Sequence, residues 1–466
     1  MRILDKAKSL LLGENRGLIL EDWNRIGRAE NLMVCQELQA VIDEGRETSM
    51  DFTADSRTPE LAEAVLAEVV ALNAAGRWRE ARKRFDPAYL PFSSQVDDVG
   101  LRAVAILGPD RFLVRMNNGV QIIDGDTNDI LKDIVAFGLS RDRRWLALAT
   151  ANGIFVTTDL DASPTLVLPW PEDLAFDPDT LRSLEVANDG RSLVIASDNY
   201  GIWLAQDGKW TPLAPRPGVA DDLADDDDDD DDGDDGDAAD DENCNVKVGT
   251  YAQLRARYGG PLGIDVSHVA ISPDGQYVAY GWQDAWPGHY LDKIGGGSLE
   301  PLGTIDAVSD YPYNLRFSDD SRYLLSNSRH LSSGVTRCVE LAAFSDRGED
   351  AICATDEYLR ANSIAVLPAA PFGQKDAVAW IGGAGWSHAA PLAGGEPVFT
   401  QFFGSALFGI DYDPQSRRAV VISASGMLHV MDPFAEAEPG TERGYHPRRE
   451  LYRIILWDSL DRVVRW

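Results

Sequence analysis

The sequence predicts an all-β repeat fold preceded by a small α-helical segment. Three observations carry that prediction. A pattern of apolar strand, tight polar turn and second apolar strand recurs seven times beyond about residue 96. A further apolar segment, opening on Gly and closing on Asp, follows several of the copies. Before residue 90 the apolar residues fall instead at helical spacing.

The helical part comes first. Leu61, Val65, Leu66, Val69, Val70 and Leu72 recur at helical intervals. Thr58 followed by Pro59 and Glu60 is a good helix start, because proline fits the first helical position. Gly76 interrupts the pattern, and Trp78, Ala81 and Phe85 resume it. The string GRWREARKRF, with Ala88 after it, resembles the turn and second helix of a tetratricopeptide repeat. One copy is visible, and such repeats need about three to stand alone. A helical hairpin packed on the next domain is therefore expected.

The repeats read AFGLSRDRRWLALAT at 136–150, SLEVANDGRSLVIAS at 183–197, HVAISPDGQYVAYGW at 268–282 and NLRFSDDSRYLLSNS at 314–328. Looser copies lie at 102–116, 363–383 and 408–423. Asp142, Asp189, Asp274 and Asp320 can each accept a following backbone N–H, and Gly190 and Gly275 tolerate positive φ. Each copy is thus a β-hairpin. Third strands are expected at Gly119 to Asp124, Gly153 to Asp159, Gly201 to Asp207 and Gly426 to Asp432.

The string SPDGQYVAYG at 272–281 resembles the core of WD-repeat-like β-propeller blades, of the bacterial Tol-associated type. The resemblance covers roughly 96–466. It implies an all-β β-propeller over 96–466, behind the small α-helical domain at 1–95, and the seven hairpins counted give seven blades. Eight blades also fit, because the span from Ser192 to Tyr277 is long enough to hold a degenerate one. The run Leu451–Trp457 is expected to close the last blade on the first. The chain departs from the eukaryotic pattern: the Gly-His pair is missing, and Trp457-Asp458 is the lone Trp-Asp. The structural hydrogen-bond tetrad of that family is therefore not carried over.

Composition bounds the function. The 466 residues are 44% apolar, which excludes wholesale disorder. A formal charge of −33 argues against nonspecific binding to nucleic acid and against electrostatic docking on anionic membranes. Residues 221–242 hold 16 of the 76 acidic residues and no Lys or Arg. That stretch reads as a disordered, self-repelling insert, or as an acidic arm for a basic partner. Asp228, Asp230, Asp232 and Gly233 fit four EF-hand positions, but Ala239 stands where the bidentate Glu belongs, so no metal site is assigned. Four cysteines without a CxxC pair suit a reduced, cytoplasmic protein. Cys338 and Cys353 stand where they can face each other across a hairpin, and free thiols are expected there.

No nucleophile elbow, P-loop or dinucleotide fingerprint occurs, and the six histidines show no metal spacing, so no catalytic residue or cofactor is assigned. The candidate partner-binding residues are aromatic and histidine side chains expected on two loops: Trp286, His289 and Tyr290 on one, Trp386 and His388 on the other. Arg443, His446, Arg448, Arg449 and Arg453 form a basic stretch in an acidic chain, read as a solvated loop or a receiver for the acidic segment. The leading function is a non-catalytic scaffold for a protein partner, with no small-molecule substrate evident. The alternatives are an acidic inhibitor or immunity-type protein masking a basic partner, and a hydrolase or lyase acting in the propeller channel.

Overall fold

The computed structural model describes residues 16–92, 100–117, 119–171, 180–198, 201–214, 268–283, 288–295, 298–306, 311–330, 333–345, 349–356, 359–457, 460 and 462–466. The acidic stretch 221–242 and Trp286 lie outside them.

Three helices open the chain: α1 (Arg16–Glu44), α2 (Pro59–Ala74) and α3 (Trp78–Arg84). Thr58 caps α2, its hydroxyl accepting from the Leu61 N–H, and Pro59 sits at the first turn as its fixed φ favours. The helical spacing buries Val65, Leu66, Val69 and Leu72 on one face. From residue 103 onward strands dominate, in antiparallel sheets whose strand order follows the sequence. Five sheets have four strands each, and a sixth has eight. The eight-stranded sheet is two meanders sharing the strand Phe399–Asp413, whose first half pairs with Ala384–Pro391 and second half with Arg418–Ser423. The described residues thus form seven successive meanders, six of four strands and a last one to which Val464–Arg465 adds a fifth, the blades of an all-β propeller fold with a small helical part at its N-terminus.

All seven repeats seen in the sequence are the first two strands of a blade. The turn between them has a recurring construction. Ser272 donates to the Asp274 carboxylate at 2.6 Å and accepts the Tyr277 N–H at 2.9 Å. Ser318 and Asp320 repeat this, as do Ser140 and Asp142. The residue after the Asp is left-handed, with φ +67° at Gly190 and +71° at Gly275. Arg143 and Ser321 hold the same conformation without glycine.

Two compact units divide the chain. One comprises 133–326 and 341–351. Inside it, neighbouring turns are joined by hydrogen bonds: Asp142 N–H to Asn188, Asn188 N–H to the Pro273 carbonyl, and Asp274 N–H to Ser321. The third and fourth blades share one core, in which Val194, Ala196 and Leu204 pack on Val269, Ile271 and Tyr280. The third and fourth described blades are therefore direct neighbours, while residues 215–267, where an eighth blade would fall, lie outside the described residues.

The other unit comprises 1–132, 327–340 and 352–466. Here the first blade packs on the seventh, with Ile106, Phe112 and Val114 against Val420, Leu428, Tyr452, Ile454 and Leu456. The terminal run Leu451–Trp457 is therefore part of that contact, as its apolarity predicts. The helical segment packs on the same blade. Trp23, Val65, Val69, Phe85 and Phe92 share a core with Met427, Ile455, Trp457 and Trp466. Trp23 stacks on Trp466 at 6.1 Å, and Trp466 donates its indole N–H to the Phe85 carbonyl. No helix of the described residues is long and apolar enough to cross a membrane.

Candidate functional site

Of the residues singled out from sequence, His289, Tyr290, Trp386 and His388 occupy strands, which corrects their expected placement on loops, while Trp286 lies outside the described residues. His289 and Tyr290 lie in Gly288–Gly295, the third strand of the fourth blade. Tyr290 is buried between Tyr280 and Trp282, at ring separations of 5.5 and 5.9 Å. His289 is buried, with Nδ1 2.7 Å from the Ser326 hydroxyl and its ring edge-on to His268. Burial, and secondarily His268, holds His289 well below the usual imidazole range, so it is neutral at pH 7. Trp386 and His388 lie in Ala384–Pro391, in the other unit. His388 is buried, with Nε2 2.7 Å from Asp356. Trp386 is half-buried, between the rings of Phe402 and Phe52. The flanking glycines and proline suggested loops, but the strands continue through the glycines and begin right after Pro287.

The basic stretch is likewise not a solvated loop. Arg443, Arg448 and Arg453 are buried, while His446 and Arg449 are exposed. Arg443 donates to Asn31 of α1 at 2.6 Å and to the carbonyls of Phe52 and Ala54, and pairs with Glu30 at 3.3 Å. Arg448 places its guanidinium over the Phe399 ring at 5.0 Å. Arg453 clamps Glu450 with two bonds of 2.6 Å, donates to the Ala88 carbonyl, and covers the Tyr89 ring at 4.2 Å.

Around Arg453 the helical tail and the seventh blade meet in a buried ionisable network that the sequence reading missed. Tyr89 donates its hydroxyl to Glu442 at 2.8 Å and lies 3.3 Å from Glu450. Gln401 also reaches Glu442, at 3.4 Å. Burial, and then the Glu450 charge, push the Glu442 carboxyl up to about 8, so it holds a proton at neutral pH. Burial works against ionisation of Glu450 too, but Arg453 and Arg82 outweigh it and keep Glu450 well below the usual range. One carboxyl is therefore charged and its neighbour is neutral. Burial and the two carboxyls drive the Tyr89 phenol well above its ordinary value.

His429 stands against the same group. Its Nε2 is 3.3 Å from the Ser423 hydroxyl, and its Nδ1 is 3.5 Å from Glu450 Oε1. Serine, imidazole and carboxylate in that order have the connectivity of a nucleophile, a base and an orienting acid. Ser423, His429 and the Glu450 side chain are all 0% exposed, however, and Ser423 is 2.8 Å from the Ser425 hydroxyl. No substrate atom can reach this serine, so the relay ties three adjacent strands of the blade together.

Outside this network lies a cleft of about 420 Å³, lined by Arg28, Arg82, Lys83, Glu438, Glu442 and Arg449 among others. Arg28 is held by Asp86, and Arg82 donates to the Glu450 carbonyl at 2.5 Å. Lys83 and Arg449 are exposed and make no ion pair among the described residues. Its lining holds four cations, Arg28, Arg82, Lys83 and Arg449, against the four carboxyls Asp86, Glu438, Glu442 and Glu450, so with Glu442 protonated the cleft carries one net positive charge.

No family model matches the chain. No curated protein matches it either. Among solved structures, it is similar to the β-propeller domain of Cps50 (Swd1) from Myceliophteria thermophila. That likeness has 12% identity and a TM-score of 0.45, over 70% of this chain and 94% of the other. The fold assignment above rests on the sheets themselves.

Proposed function

We propose that this chain is a non-catalytic protein-interaction scaffold whose seventh blade and helical segment present a cleft with two exposed cations, Lys83 and Arg449, to a protein partner. The observation that carries this reading is the cleft itself. Lys83 and Arg449 are unpaired charges on a fixed frame, because the residues beneath them are locked by Tyr89, Glu442, Glu450 and Arg453. A rigid frame lowers the ordering cost of binding, and an exposed, unpaired cation is free to meet a partner's carboxylate. Of the residues singled out from sequence, the half-buried Trp386 is the best placed to add an aromatic contact. The only triad-like geometry described is sealed from solvent, which supports a scaffold over a hydrolase. A second reading keeps the acidic stretch 221–242 as the determinant, masking a basic partner, in line with its 16 acidic residues.

Affinity capture from native lysate separates these readings. The wild-type chain is compared with a Lys83→Gln/Arg449→Gln variant and with a deletion of 221–242. Loss of the same captured protein in the double variant supports the cleft. Loss in the deletion alone supports the acidic segment. Equal capture by all three would refute both.

A further inference from the structure

The third and fourth strands of the fifth blade, Ser333–Glu340 and Ile352–Asp356, bring two cysteines together. Cys338 pairs with Ala354 and Val339 with Ile352, so the ladder slips by one residue and leaves Cys353 as a bulge opposite Cys338. The Cys353 thiol donates to the Cys338 carbonyl at 3.2 Å, which places the two cysteine side chains side by side on the bulge. Cys338 is buried and Cys353 is half-buried, so the pair has an outer and an inner member.

We propose that Cys338 and Cys353 are a peroxide-sensitive dithiol that closes to a cross-strand disulfide. The two sulfurs have different roles. The adjacent Cys338 thiol lowers the Cys353 thiol below its ordinary range, against burial and the nearby charges of Glu340 and Asp376. The Cys353 thiol, together with burial, raises the Cys338 thiol. Cys353 is therefore the sulfur that ionises and meets solvent first.

The chemistry balances with hydrogen peroxide as the oxidant. The Cys353 thiolate attacks one peroxide oxygen, the O–O bond breaks, and hydroxide leaves with Cys353 as a sulfenic acid. The Cys338 sulfur then attacks the Cys353 sulfur. The S–O bond breaks, the Cys338 proton joins the departing hydroxide, and water leaves. Overall, two thiols and one peroxide give one disulfide and two waters. A bulge suits this closure, since it relaxes the ladder where the sulfurs must approach. Cys35 provides an internal comparison, because burial raises its thiol and its hydrogen bond runs to the Glu442 carbonyl.

The test uses the full chain, treated with hydrogen peroxide, alkylated with iodoacetamide and mapped by peptide mass spectrometry. The expected result is loss of two of the four thiols, a linked peptide joining Cys338 to Cys353, and full recovery with dithiothreitol. Cys353 should react on the order of tenfold faster than Cys35. In Cys338→Ser, Cys353 should advance to the sulfinic acid with no cross-link, for want of a resolving thiol. In Cys353→Ser, Cys338 should remain a free thiol. Melting curves of both serine variants confirm that the fold is kept. Alkylation of Cys338 and Cys353 as free thiols after Cys35 is consumed would overturn the proposal. So would sulfinic acid at Cys353 in the wild type without a linked peptide.

Discussion

Tyr89 and Glu442 are 353 residues apart in the chain, yet the phenol donates to the carboxyl at 2.8 Å with both groups buried. The bond joins the tail of the helical segment to the loop ahead of the last long strand. The donated bond by itself favours an ionised Glu442, but burial and the Glu450 charge outweigh it and keep the proton on the carboxyl. The charge in this network resides on Glu450, where Arg453 answers it with two bonds.

The first prediction follows from that proton. Glu442 is raised from an ordinary value of 4.5 to about 8. A raised folded-state value contributes stability that is complete below pH 4.5 and is lost as the pH rises through about 8. Glu442→Gln keeps an acceptor for Tyr89 and removes the titration. The variant should match the wild type near pH 4.5 and exceed it by on the order of 1–3 kcal/mol at pH 8. Denaturant melts across that range check it, and a difference independent of pH would remove the proton from Glu442.

A second prediction concerns the strand shared by the sixth and seventh blades. It bends at Gly404, where φ is +87°. A Cβ there would lie 2.4 Å from the Tyr89 Cβ. Gly404→Ala should cost on the order of 2–3 kcal/mol, from backbone strain plus displacement of Tyr89. A melting temperature within a degree of wild type would show that Tyr89 moves away freely.

The turn chemistry gives a third. Gly275 has φ +71°, and a Cβ there would already touch Asp189, Ala187 and Ser192 at 3.5 to 3.6 Å. Gly275→Val should therefore cost at least about 1–2 kcal/mol, from backbone strain with crowding of the valine branches added to it. A melting temperature of Gly275→Val equal to the wild type would remove the strain from this turn.

These turns also show why so much of the fold was legible. A Ser, an Asp two residues on and a left-handed residue after it are local chemistry, and local chemistry repeats visibly at Ser272, Asp274 and Gly275. The third strands of the fourth and sixth blades were harder. Glycines that usually mark loops lie inside or beside them, so His289, Tyr290, Trp386 and His388 looked exposed. The buried network was out of reach for another reason. Arg453 and Glu450 are three residues apart and look like a surface pair. What buries them is Tyr89, 361 residues from Glu450, together with Ala88. A cluster of arginines reads as solvated until a distant aromatic covers it.

The last prediction bears on the scaffold itself. Once a partner has been captured and purified, its association with this chain should be measured by surface plasmon resonance at low and high salt. The Lys83→Gln/Arg449→Gln variant serves as the comparison, with its melting temperature as a control. The account predicts that the variant binds about five- to tenfold more weakly at low salt, chiefly through slower association. It also predicts that the two proteins converge at about 0.5 M salt, where exposed charges are screened. Equal affinity of wild type and variant at low salt, with both folded, would contradict the cleft as the partner site.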